Sequence, residues 1–129
     1  MAELEKLTIN LNPVDLGQIE LLISQGFYAN RAEFIRIAIH NQLAKHTDSV
    51  REVTTRKEMV IGAVILGKRD LERAQANGDR LALKVVGLLA LRDDVSPDLA
   101  SKVIESIEYH GVFKAPELVK QALKDRIRN

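Results

Sequence analysis

The stretch EKLTINLN, residues 5–12, alternates Leu7, Ile9 and Leu11 with Lys6, Thr8 and Asn10, the period-two pattern of a strand with one buried face. Asn12-Pro13 follows at once, and the chain beyond it reads as helix, with no second strand within hairpin reach. A lone strand leaves its backbone donors and acceptors unpaired. The economical solution is the same strand of a second copy, paired antiparallel around a two-fold axis. Leu7, Ile9 and Leu11 of both copies then form the inner face of a two-stranded ribbon, over which four helices close a shared core. Neither copy buries its apolar stripes alone, so folding and dimerisation are expected to be coupled.

The helices follow from local signals. Asn12 offers a side-chain cap and Pro13 suits the first helical position. Val14, Ile19, Leu22 and Ile23 keep roughly helical spacing, and Gly26 suits a left-handed stop. A second helix starts at Asn30, with Glu33 three residues on as its capping-box partner. Phe34, Ile35, Ala38, Ile39 and Leu43 make its apolar stripe. The expected dimer core is Leu7, Ile9, Leu11, Phe34, Ile35 and Ile39.

The same alternation turns Lys6, Thr8 and Asn10 outward, and the two-fold doubles them to six side chains on one exposed ribbon. The major groove of DNA admits a two-stranded ribbon, and Lys and Asn suit the donor and acceptor edges of bases. The start of the second helix places backbone N–H groups near Asn30 and Arg31, a ready anion site for a phosphate. The ribbon would read bases and the helix start would fix register. Arg36 reads as a surface or intradimer residue rather than a DNA contact.

With KLTINL, NPVDLGQIELLISQG and FYANRAEFIRIAI in place, residues 4–46 resemble the ribbon-helix-helix DNA-binding domain of the MetJ/Arc/CopG type. The resemblance implies that Lys6, Thr8 and Asn10 enter the major groove. Gly26 matches the glycine between the helices, and Asn30 and Arg31 match the phosphate-clamping start of helix two. Asn30 stands where Ser is frequent, and Glu5 sits at the ribbon's edge, where it would repel phosphate.

Composition neither advertises nor forbids this role. Net charge is +1, from 19 Lys+Arg against 18 Asp+Glu. Residues 1–46 hold four Lys/Arg and five Asp/Glu, a balance of −1, so DNA binding must rest on placement rather than bulk charge. No cysteine is present, which excludes disulfides and thiolate metal sites. His40 and His46 lie six apart, off the helical spacing that metal ligands need. Asp93, Asp94 and Asp98 read as turn residues, and no phosphate loop or nucleophile motif occurs. The expectation is a protein that is not an enzyme, without cofactor, cytoplasmic and without a membrane span.

Beyond residue 58 the character changes. MVIGAVIL, LALKVVGLLAL and IESIEYHGVF centre on Gly62, Gly87 and Gly111, at spacings of 25 and 24 residues by their numbers. Each is followed by a helix-prone or turn segment with leucine, KRDLERA, SPDLA and APELVKQAL. Such a period predicts stacked strand-helix units with parallel strands, although Leu99, Val103, Ile104 and Ile107 also nearly fit helical spacing. The expected architecture is mixed α and β: residues 1–46 for DNA binding and dimerisation, 47–58 a helical extension or linker, and 59–129 three β-strand/helix repeats for assembly or regulation. Nothing breaks the helical pattern before residue 57, so the second helix is free to run on.

The expected function is a homodimeric, sequence-specific transcriptional regulator, a repressor, that binds double-stranded DNA. Residues 59–129 would tether dimers into higher oligomers or receive a partner. An antitoxin is the alternative within the same fold, although such tails are polar and disordered in isolation. A non-DNA oligomeric scaffold is the alternative from another class.

Overall fold

The computed structural model describes residues 4–128, and the chain forms two compact units divided between Asp48 and Ser49. In the first, helix α1 spans Pro13–Ser24 and helix α2 spans Arg31–Ala44. Asn12 Oδ1 accepts from the Asp15 N–H at 2.8 Å, the cap that the sequence predicts. The far end closes with Gly26 at φ +84°. There Gly26 N donates to Ile23 O and Phe27 N to Leu22 O, both at 3.0 Å, the paired bonds of a left-handed helix stop.

Two expectations for this region are not met within the single chain. Residues 4–12 do not form a strand. A strand exists only through its ladder, and within one chain this segment has no strand beside it. Helix α2 also does not run through to residue 57. It closes at Lys45 and His46 with the short i→i−3 bonds Lys45 N to Gln42 O and His46 N to Leu43 O, and Thr47 Oγ1 takes the Ala44 carbonyl at 3.0 Å. A hydroxyl that binds a helix carbonyl competes with continuation. Helix α3, Thr47–Arg56, starts afresh.

The second unit is a four-stranded sheet in the order β1-β2-β3-β4, parallel throughout. Its strands are β1 Val60–Leu66, β2 Leu81–Leu91, β3 Ile104–Lys114 and β4 Ile127–Arg128. Helices α4 Lys68–Ala76, α5 Pro97–Val103 and α6 Glu117–Ala122 link them. The three strand-helix repeats and parallel strands expected from the glycine period are therefore present, with a short fourth strand at the end.

Neighbouring strands joined in one sense by right-handed crossovers place the three linking helices on the same face, and α4 packs on α5 and α5 on α6. Leu71, Ala74, Ala100, Val103 and Val119 descend from the helices onto Val85, Leu89 and Ile107, all buried. Each large aliphatic side chain removed from water contributes roughly 1.5–3 kcal/mol, so this core closes within one chain. The loops are stitched by polar groups. Lys68 N donates to Asp94 Oδ1 at 3.0 Å, which gives that carboxylate a structural task. Arg126 Nη1 reaches the carbonyls of Ser101 at 2.5 Å and Ile104 at 2.8 Å at the end of α5.

The glycine period is the sheet's own register. Gly62 pairs with Gly87 and Gly87 with Gly111, at φ +142°, +134° and +123°. A Cβ on Gly87 would overlap the Gly62 carbonyl oxygen, and one on Gly111 that of Gly87. The strands approach at this row only because no side chain stands between them.

Candidate nucleic-acid interface

Within the first unit, apolar side chains gather on one surface without being enclosed. Leu7, Ile9 and Leu11 line a groove of about 750 Å³ together with Phe34, Ile35 and Ile39, the six residues expected to form the dimer core. Among the described residues that line it, Ile19 alone is buried. Leu7 remains 79% exposed, Ile9 50% and Ile39 45%. Phe34 is half-buried and meets Tyr28 edge to face at 4.9 Å between ring centroids. Ala38 and Gln42 continue the lining one and two turns along α2, and Glu5 and Arg36 lie at its polar margin.

Lys6, Thr8 and Asn10 are exposed and take no part in that lining. The even and odd positions of the segment therefore separate as the alternation demands, one set facing an apolar groove and the other free of it. The structure does not bring Lys6, Thr8 and Asn10 into a ladder, as residues 4–12 form none here.

At the start of α2, Asn30 Oδ1 accepts from the Glu33 N–H at 2.8 Å. The Glu33 carboxylate reaches back to the Ala29 N–H at 2.5 Å, one residue before the cap, so the reciprocal box forms with its return bond shifted by a residue. Arg31 is the first residue of the helix. Its guanidinium pairs with Glu20 of α1, with Nε 2.6 Å from Oε1. This ion pair was not foreseen from the sequence, since an i, i+11 spacing across a turn carries no periodic signal. It places a carboxylate beside the cation expected to meet phosphate, on a pair that is largely exposed and therefore weak.

Among the described residues no helix is long and apolar enough to cross a membrane. A model of the Ribbon-Helix-Helix transcriptional regulator family matches residues 2–120 of the chain. No match was found among curated proteins or among solved structures.

Proposed function

The chain belongs to the Ribbon-Helix-Helix transcriptional regulator family, and from that premise we propose that it works as a homodimer that reads double-stranded DNA with a two-stranded ribbon and represses transcription. The observation that carries this reading is the separation within residues 5–12. Leu7, Ile9 and Leu11 share one groove with Phe34, Ile35 and Ile39, while Lys6, Thr8 and Asn10 stay outside it. The second copy's strand pairs with the first, the apolar groove closes against its counterpart, and the polar set becomes the outer face of a ribbon that the major groove admits.

In this reading Lys6, Thr8 and Asn10 contact bases. Lys6 and Asn10 supply donors, and Asn10 adds a carbonyl acceptor and Thr8 a hydroxyl and a methyl. Phosphate contacts come from the start of α2. Asn30 fixes the first turn, the helix presents backbone N–H groups and the positive end of its dipole, and Arg31 adds charge once phosphate displaces Glu20 from it. Like the wider family of phosphate contacts, these position the protein without reading sequence.

Fluorescence-anisotropy titration tests it, with DNA from the gene's own upstream region, a salt series, and wild type beside a Lys6→Ala/Thr8→Ala/Asn10→Ala variant confirmed to be dimeric. Wild type is expected to bind specifically, and the variant to retain only weak, salt-dependent binding. Absence of binding by both at low salt would leave the ribbon as a dimerisation device. An antitoxin role has less support, because the second unit carries its own closed core rather than the disordered tail such a role employs.

A further inference from the structure

The two edges of the parallel sheet are built differently. At the far edge the two-residue β4 covers only Ile107 and Glu108 of β3, and β3 runs on past it as YHGVFK to Lys114, an edge that carries the kind of charge that resists further pairing. The opposite edge is β1, seven residues of sequence VIGAVIL. It pairs with β2 on one side only, and it contains neither a charge nor a proline. Val60 is 53% exposed, Ile61 59% and Ile65 48%. A long apolar edge without such blocking residues is a template for another strand.

We propose that β1 pairs antiparallel with β1 of a second copy about a two-fold axis through Ala63, which joins two sheets into one of eight strands. The strand is self-complementary about that residue. Val60 comes opposite Leu66, Ile61 opposite Ile65, Gly62 opposite Val64, and Ala63 opposite itself. On the face that the helices leave open, two Ile61–Ile65 pairs flank the small Ala63 pair, and branched cross-strand neighbours of this kind stabilise a ladder. On the other face Val64 meets Gly62, which has nothing within 4 Å of where a Cβ would stand. No like charges oppose one another, and an isologous contact of this sort closes on itself rather than growing into a fibre. The pairing draws only on β1 and does not depend on the reading of DNA.

The chain has no cysteine, so full-length protein carrying Ala63→Cys reports the axis directly. Antiparallel partners hold their Cα atoms about 4.5–5.5 Å apart, inside the roughly 4.4–6.8 Å that a disulfide spans. Under mild oxidation this variant is expected to form a covalent dimer at least about tenfold faster than Gln75→Cys, an exposed position on α4, because pairing raises the local thiol concentration. Adding Ile61→Lys and Ile65→Lys, both at exposed positions, sets like charges opposite and should remove the cross-link while the circular dichroism stays that of the folded chain. Cross-linking at 63 no faster than at 75, or untouched by the two lysines in a folded protein, overturns the proposal. The anisotropy titration reads the ribbon separately, so either reading fails without the other.

Discussion

Leu7 and Leu89 both sit in runs where aliphatic residues recur at every second position, and their surroundings could hardly differ more. Leu89 is fully buried between the sheet and its helices, whereas Leu7 is 79% exposed. The second unit holds every neighbour that its strands and helices require, and its core closes within one chain. The first unit has two well-capped helices and, among its described residues, one enclosed apolar side chain, Ile19. Capping and periodicity decide whether a segment is helical or extended. They do not decide whether its apolar face finds cover, and the first unit reaches that cover only in company.

The glycine row breaks the comparison most severely. Gly87→Ala forces a Cβ into the Gly62 carbonyl at a φ that side chains rarely adopt, with backbone as the obstacle. A loss of more than about 3 kcal/mol is expected from strain and broken pairing together, read by urea denaturation of the full chain. Gly62→Ala keeps the unfavourable φ of +142° but meets nothing within 4 Å, so it should cost less. Equal losses at both positions would show that torsion, not strand approach, makes the row glycine.

The opposite perturbation lies in the first unit. Leu7→Asp or Ile9→Asp places a charge where the ribbon model needs a dry interface, at an expected cost of at least about 3 kcal/mol. Hydrogen exchange is the discriminating measurement. Amides of α1 and α2 should lose protection while those of β2 and β3 keep theirs. Full protection of both helices in either variant would mean that the first unit is stable alone, and the intertwined ribbon would fall.

A smaller effect separates cap from contact. Asn30→Ala removes the acceptor of the Glu33 N–H and should destabilise α2 by about 1 kcal/mol. In the same anisotropy titration it should weaken binding to specific and unrelated DNA alike, the mark of a phosphate contact. Weakened binding to specific DNA alone would assign Asn30 to base readout instead.

Legibility followed the range of the interaction. Asn12, Gly26 and Asn30 act within a few residues of themselves, and each is found at the helix end that its chemistry suggests. The parallel sheet was legible because its register repeats along the chain as Gly62, Gly87 and Gly111. The break at Lys45 and His46 was not, since no Gly or Pro marks it and a threonine hydroxyl at Thr47 replaces them. The Arg31–Glu20 pair joins residues on different helices, and nothing periodic announces it. As for the site, residues 5–12 carried the division into apolar and polar sets, but pairing with another chain is written only as a missing partner.

The end of α3 offers the finest test of how far local chemistry governs the second unit. Glu58 has φ +56° and is the only residue other than glycine with a positive φ among those described. Met59 N donates to Thr54 O at 2.8 Å and Glu58 N to Thr55 O at 3.2 Å, the same paired bonds that close α1 around Gly26. One stop thus uses the residue suited to the left-handed conformation and the other tolerates a side chain there. Glu58→Gly relieves that strain but also frees the unfolded chain, so the net gain should be only about 0.5–1 kcal/mol. Gly26→Ala, at φ +84° with open space around it, should lose a similar amount. If Glu58→Gly gives no stabilisation in urea denaturation, the carboxylate at 58 contributes a contact that offsets its strain, and the two stops are not equivalent.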